Sequence, residues 1–554
     1  MVMTSTYRAH CSKGLVHLMN AALIALAIGA AFLVLPGAAC ADEPAAKRRE
    51  QVEQGRRTLL LTLLHTNDPH GRVYLPGKPQ GLSKVATLVR QIREQMPNVL
   101  LLDAGDIIHG TPVEKASEGQ AVIAAMNAMQ YDAAAAGNHE FDMGQRIARQ
   151  AFASANFPFL SANVVETDTG RPWDGLKAYV VREIDGIRIG IFGLTTPRTF
   201  AYQWPRTLEG ISITEEVEAA AKVVKQLREQ ERADVVIGLT HIGHKDDLRV
   251  AEAVHGIDVI LGGHTHTRLD EQVWHHGTLI MQTGAHAVTL GRADLFIEKD
   301  HNDKAIVHIN GRDGNWWGHN GTAAPIEAAD YSFPKRPLIP VTETIADDPA
   351  VVAAYQPYAE KVLPRLEEAL TEALEPLPAL DAKRREFALG QLLADAIRSH
   401  AKTDVALAPP SFNARGLIAG PISVGDIYEL MGAYTRQHIV IVRVPGIRIS
   451  EMVAEAFDSG EVPVHVSGFT ISDDEIIVGD EPLDPDRRYT VSAPAHIIQD
   501  YFWGKRQVEV LQDDPEAPHQ RDALIDYLRG HPPLRNTIEK RINRDQSAPV
   551  PVPQ

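Results

Sequence analysis

Histidine, aspartate and asparagine recur in this chain at five places where an apolar run gives out. The segments are His65-Thr66-Asn67-Asp68-Pro69-His70, Gly105-Asp106, Gly137-Asn138-His139-Glu140, His241 and Gly262-Gly263-His264-Thr265-His266. Their side chains share one capacity, the ligation of a divalent cation through carboxylate, amide or imidazole. With no thiolate among them, the set suits first-row ions such as zinc or manganese. Asp68 and His70 alternate across a turn, so one short segment can present both to the same ion. Asp106 follows a glycine, which permits a tight turn, and its two carboxylate oxygens can bridge two cations. Asn138 offers an amide oxygen, His241 and His264 offer imidazoles, and His266 returns on the other side of its turn. A single histidine of this kind is more often a hydrogen-bonded core or surface residue than a ligand. Five segments in one context argue for a shared site, and the chemistry they predict is hydrolysis assisted by a pair of metal ions. His65, His109, His244, His275, His276 and His286 lie nearby in sequence and are read as structural.

Apolar runs stand behind these segments: Leu59 to Leu64, Val99 to Leu102, Ala133 to Ala136, Val235 to Leu239 and Val259 to Leu261. Between them Gly81 to Glu94, Glu118 to Met129 and Glu215 to Arg232 carry apolar residues at helical spacing. The alternation predicts an α/β layer domain with a parallel sheet that delivers its ligands to one edge, at the carboxyl ends of the strands. Residues 58–335 are assigned to this catalytic domain, the last part (Lys299 to Lys335, with Trp316-Trp317) being a long polar loop. Residues 336–380 are read as a connecting segment, mostly helical from Asp347 to Leu374 and stopped by Pro376 and Pro378. A smaller α/β domain follows at 381–544. Its predicted elements are helices at Leu389 to His400 and Ile449 to Phe457 and strands at Ile439 to Val444 and Tyr489 to Ser492. Residues 545–554 form a proline-rich tail, read as disordered.

Hydrophobic residues make up 44% of the 554 and charged residues 23%, an ordinary globular balance. The formal net charge of −17 provides no field that would gather phosphate backbones, so no nucleic-acid partner is expected. A small anionic substrate is compatible with it where local metal charge dominates. At the amino terminus Arg8 and Lys13 precede an apolar stretch from Leu18 to Leu35 and an Ala39-Cys40-Ala41 site. Residues 1–41 therefore read as a cleaved secretory signal and 42–57 as a flexible, basic lead-in. The expected location is periplasmic with no stable membrane insertion; an uncleaved signal acting as an anchor is the alternative. Both cysteines, Cys11 and Cys40, fall in the signal, leaving an exported chain without thiol chemistry.

The ordered motifs Asn67-Asp68-Pro69-His70-Gly71, Gly105-Asp106, Gly137-Asn138-His139-Glu140-Phe141-Asp142, His241 and Gly262-Gly263-His264-Thr265-His266 also resemble a known family. They are similar to those of the secreted 5′-nucleotidase family of calcineurin-like metallophosphoesterases, which includes UDP-sugar hydrolases and 2′,3′-cyclic nucleotide phosphodiesterases. The resemblance is close from Thr58 to Ile297 and looser beyond. It implies a metallophosphoesterase layered α/β domain followed by a smaller nucleotidase domain, and two divalent ions sharing Asp106. One ion takes Asp68, His70 and His266, the other Asn138, His241 and His264. It further implies that His139 stands beside the phosphoryl group as an acid, oriented by Asp142, and that Asn138 also faces the substrate.

The second domain departs from the family's pattern. Ala388 and Gln391 replace a polar pair at a helix start, and Pro410-Ser411-Phe412-Asn413-Ala414-Arg415 replaces a glycine-rich turn, with Arg415 retaining a phosphate-facing arginine. Tyr434 falls where the family stacks an aromatic ring on the base. Tyr501, Phe502 and Trp503 replace a second stacking segment, with Phe502 as the candidate ring and strand packing as the plain alternative. The expectation is an exported dinuclear phosphoesterase acting on 5′-nucleotides. The alternatives are a cyclic-nucleotide phosphodiesterase or nucleotide-sugar pyrophosphatase, a thiosulfohydrolase acting on a sulfur-carrier protein, and a ligand-binding protein without turnover. An intact His139 and Asp142 argue against the last, because a binder needs no leaving-group acid.

Overall fold

Leu59, Leu61 and Leu63 of the first strand, Arg57–Thr66, lie in one buried cluster, while Leu64 of the same strand lies in another. The period of two is the pleat of a strand covered on both faces, which is why the run reads as continuously apolar. In this computed structural model residues 57–543 are described, apart from 75–76, 200–204, 301, 303, 312–315, 319–322, 325–332, 334–335, 380–384, 411–415, 432–437, 458–461, 473–474 and 515–516. The signal, all of the lead-in except Arg57, the proline-rich tail, Arg415 and Tyr434 lie outside the described residues.

The first strand pairs in parallel with Val99–Asp103, and that strand in turn with Ala133–Ala135. On its other side it pairs antiparallel with Thr289–Lys299, at the centre of a 10-stranded sheet. Val235–His241 and Val259–Gly262 belong elsewhere, to a 6-stranded sheet where they run parallel to each other and to Ile187–Thr195. The one parallel sheet expected from the sequence is thus two. Apolar runs buried on both faces carry no signal of which sheet they join. The sheets are packed through a shared core in which Leu61, Leu63 and Leu102 of the first meet Ile189, Ile237 and Leu261 of the second. The outer face of the first sheet is covered by the helices Leu82–Gln95, Gln120–Met129 and Pro349–Leu366. Glu216–Lys225 and His244–Ala253 cover the outer face of the second.

Two further expectations are corrected. The polar stretch after Lys299 contains strands Ala305–Asn310 and Trp316–Gly318, which extend the first sheet. Trp316 is buried there, edge-on to Phe296 and Phe333, and packs the sheet. The connecting helix begins at Pro349, capped by Asp348 accepting the amides of Ala350 and Val351, but it ends at Leu366 and not Leu374. Ala369–Ala373 is a strand paired with Gly420–Ser423, where Leu370 and Ala373 become buried. Beyond it a 5-stranded sheet, with Val405–Ala408, Arg488–Pro494 and Ile439–Pro445 at its centre, carries helices against both faces.

Candidate active site

The parallel strands of both sheets end at the same edge, and the five predicted segments leave them there. Of the seven predicted ligands, Asp68, His70, Asp106, His264 and His266 have positive φ, from 48° to 79°. Non-glycine residues occupy that region at a cost and cluster at functional sites. The left-handed residues turn the chain sharply so that side chains from separate loops converge. Gly105, itself at φ 96°, allows the closest approach: a Cβ there would lie 2.8 Å from the Gly137 amide and 2.9 Å from His241 Nδ1. No other residue fits.

Asp68, His70 and Asp106 form one convergent set of donor atoms, and Asp106, His241 and His264 form another. Asp106 belongs to both. His241 Nε2 lies 3.0 Å from Asp106 Oδ2 without the angle of a hydrogen bond. The other ring nitrogen of His241 donates to the Ala104 carbonyl at 2.7 Å, which keeps Nε2 turned toward Asp106. Burial opposes a charge on this ring, but the Asp106 carboxylate outweighs it and raises His241 to about 10, so a cation bound there would have to displace the Nε2 proton. His70 Nε2 and His266 Nε2 approach to 3.0 Å, and His266 Nε2 lies 3.4 Å from Asp68 Oδ1. Burial pushes His70 down to about 3 and His264 to about 4, so both rings are neutral and able to ligate. The donor sets therefore fit divalent metal ions, in oxygen and imidazole surroundings.

His139 borders this set, its Nε2 3.9 Å from Asp106 Oδ2. Its Nδ1 donates to Asp142 Oδ2 at 2.6 Å, and its amide donates to Asp106 Oδ1 at 2.9 Å. Burial opposes a charge on the ring, but the carboxylates of Asp142 and Asp106 outweigh it and raise His139 to about 10. An imidazolium with one N–H anchored on Asp142 has its second N–H left on the side of Asp106, where it can be given up.

The structure thus brings Asp68, His70, Asp106, Asn138, His139, Asp142, His241, His264 and His266 to one edge. It does not bring Phe502 there. That ring is fully buried in the core of the second domain, so it packs and has no face for a base. It shares one apolar cluster with Val442, Val491 and Ile498. Gln391 is also structural: its amide donates to Glu386 Oε1 at 2.7 Å and its carbonyl accepts the Glu539 amide at 3.0 Å. Three further residues belong to the site that sequence reasoning does not place there. His286 joins His70 and His266 in a third convergent set, His109 touches Asp142, and Glu140 ties the loops together. His286 and His109 stand outside any strand-end motif, so sequence spacing carries no signal of them. Glu140 is visible as part of Gly-Asn-His-Glu but its partners are not.

Comparison with known proteins agrees with this geometry. The calcineurin-like phosphoesterase family model matches residues 61–268, and the 5′-nucleotidase C-terminal domain model matches 369–502. A 5′-nucleotidase of Vibrio cholerae is 33% identical over 264 residues, 45% of this chain and 46% of that protein. Protein UshA of Yersinia enterocolitica is 26% identical over 483 residues, 79% of this chain and 84% of that one. The Yersinia protein apart, the aligned stretch spans less than half the length of several curated relatives. A crystal structure of a 5′-nucleotidase precursor from Thermus thermophilus covers 88% of this chain and 99% of its own, with a TM-score of 0.61 at 24% identity. That likeness concerns the fold. The two domains and their order define a mixed α/β metallophosphoesterase with a nucleotidase C-terminal domain. The chain carries a calcineurin-like phosphoesterase domain followed by a 5′-nucleotidase C-terminal domain, and this pairing supports a metal-dependent phosphoric ester hydrolase.

Proposed function

We propose that this protein is an exported phosphatase that hydrolyses 5′-nucleotides to nucleoside and phosphate with two divalent ions. The observation that carries the reading is Asp106, which joins the two donor sets while its carboxylate accepts the amide of His139, the candidate acid. Asp68, His70 and His266 would hold one ion, Asn138, His241 and His264 the other, and Asp106 both. The chemistry that ions bound there would supply is polarisation of the phosphoryl oxygens and a lowered pKa for water. His139 holds a proton on Nε2 for the departing ribose oxygen, and Asp142, accepting from Nδ1, orients the ring and favours its charged form. Asn138, one residue away, faces the same space. Export rests on the first 41 residues; among the described residues no helix is long and apolar enough to cross a membrane.

The burial of Phe502 favours a second reading of the substrate, a phosphate ester recognised without a base stacked on that ring. One experiment separates the two. Phosphate release is measured from 5′-nucleotides, nucleotide sugars, cyclic nucleotides and simple phosphate esters after reconstitution with zinc or manganese. Preference for 5′-nucleotides is expected. Equal rates on esters lacking a base select the second reading, and no release from any of them rejects both.

A further inference from the structure

Glu252, His275 and His276 meet at the edge of the second sheet opposite the active site. Glu252 lies in the last turn of the helix His244–Ala253. His275 ends the strand Val273–His275 and pairs with Thr278, the first residue of the strand Thr278–Met281. That second strand runs parallel to Val259–Gly262, with Leu279 beside Val259, so the hairpin turn sits at the amino ends of strands whose other ends lead to the ligands. One donor atom from each of the three side chains lies within 4.8 Å of the other two. The imidazole rings stand edge to face, with centroids 4.6 Å apart and planes at 76°. Among the described residues none makes a hydrogen bond or ion pair with these three side chains. Two imidazoles and a carboxylate, with water in the remaining positions, are a donor set for zinc and similar divalent ions.

Rigid elements hold all three donors. The turn residues His276 and Gly277 have φ of 48° and 84°, both left-handed as in a type I′ hairpin turn. The tight turn fixes the two histidines relative to each other, and it places at a left-handed position a side chain that occupies one at a cost. Val250 and Val254 anchor the end of the helix in the same buried cluster as Ile280, with Val273 of the hairpin packed against it. Glu252 is thereby kept beside the hairpin. Its carboxylate also stands at the negative end of the helix dipole, in a last turn that holds no basic residue. A cation between Glu252 and the rings turns that unfavourable placement into a favourable one. We propose that Glu252, His275 and His276 bind one divalent ion of the zinc class, which clips the helix to the hairpin. This site shares no residue with the sets around Asp106, and it stands whether or not the protein hydrolyses nucleotides.

The test counts zinc bound per full-length chain at equilibrium with buffered free zinc near neutral pH. His276→Gly keeps the left-handed turn and removes one imidazole; Glu252→Ala removes the carboxylate. Wild type is expected to hold one zinc per chain more than either variant. Binding of that ion should weaken by more than about 100-fold, beyond the 10–100-fold that loss of a ligand's supporting partner costs. His255→Ala removes an exposed histidine just past the same helix and should leave the count unchanged. Melting temperatures in chelator should coincide for all four proteins, and added zinc should raise wild type and His255→Ala above the other two. Phosphate release should be the same in the four; if wild type releases none, the proposed activity fails while the zinc count still decides on this site. Equal counts in wild type and His276→Gly at every free zinc concentration overturn the proposal. So does an equal loss in His255→Ala, which would mean zinc scattered over surface histidines. Where a variant does not fold, anomalous scattering at the zinc edge from wild-type crystals decides: a peak among Glu252, His275 and His276 is expected, and its absence there overturns the assignment.

Discussion

Glu140 holds Asp106 by the backbone: its Oε2 accepts the Asp106 amide at 3.0 Å and the Gly137 amide at 2.6 Å. Its other oxygen accepts the amide of Ile107 at 2.6 Å. One buried carboxylate thereby ties the loop carrying the shared ligand to the loop carrying Asn138 and His139. Glu140→Gln must turn an NH2 group toward amide donors, leaving buried N–H groups unsatisfied. The expected cost is about 2–4 kcal/mol of stability, with metal lost more readily on dialysis. Chemical denaturation and metal analysis check this, and unchanged values in both would show that the loops hold their shape without the clamp.

Asp106 itself should be the costliest ligand to remove. Asp106→Ala takes a donor from both convergent sets and should lose both ions, whereas Asn138→Ala should lose one preferentially. Metal analysis by mass spectrometry reads the ratio. Full occupancy in the Asp106→Ala protein would remove the residue from the shared position.

The pair His139–Asp142 should matter most where the leaving group is poor. His139→Ala should lose on the order of 10²–10⁴-fold in kcat on a 5′-nucleotide, with metal retained, and much less on nitrophenyl phosphate. A metal-free mutant, or equal losses on the two esters, would place His139 among the ligands instead.

Much of this site is legible in the sequence because ligand chemistry and strand ends coincide. Asp68, Asp106 and His241 each follow an apolar run that could only be a strand, and the parallel rule puts such ends together. What stays hidden is contact made across the chain. His109 and His286 lie in loops with no repeating pattern, and nothing in their neighbours' identities says that their rings meet His139 or His70. The division into two sheets is equally hidden, since Leu61 and Val235 carry the same signal whichever sheet they join. The strand Ala369–Ala373 reads as helix because alanine, leucine and glutamate favour one locally, and only pairing with Gly420–Ser423 overrides them.

Phe502 should behave as core. The side chain is fully buried among the apolar residues of the second domain, so Phe502→Ala should cost about 3–5 kcal/mol. The loss should fall on stability, read by denaturant titration, with KM for nucleotides unchanged in the protein that remains folded. A raised KM at undiminished stability would return the ring to the substrate site.

His465 sets an acid limit on the same domain. Its buried ring lies edge-on to Phe387, with centroids 4.5 Å apart, in a space that a side chain at Gly390 would fill. Burial lowers its pKa from 6.5 to about 4. The unfolded chain therefore binds more protons than the folded one between those values. Stability is complete above pH 6.5 and is lost progressively as pH falls toward 4. At pH 5 the deficit from this one group is about 2 kcal/mol. His465→Leu keeps the apolar volume and removes the titration, so its loss of stability between about pH 7.5 and pH 5 should be smaller than wild type by about that amount. Measured on metal-stripped protein, the difference between the two chains cancels contributions from His65 and His519, which burial also holds low. An identical pH dependence in the two proteins would mean that His465 protonates in the fold as easily as in the unfolded chain.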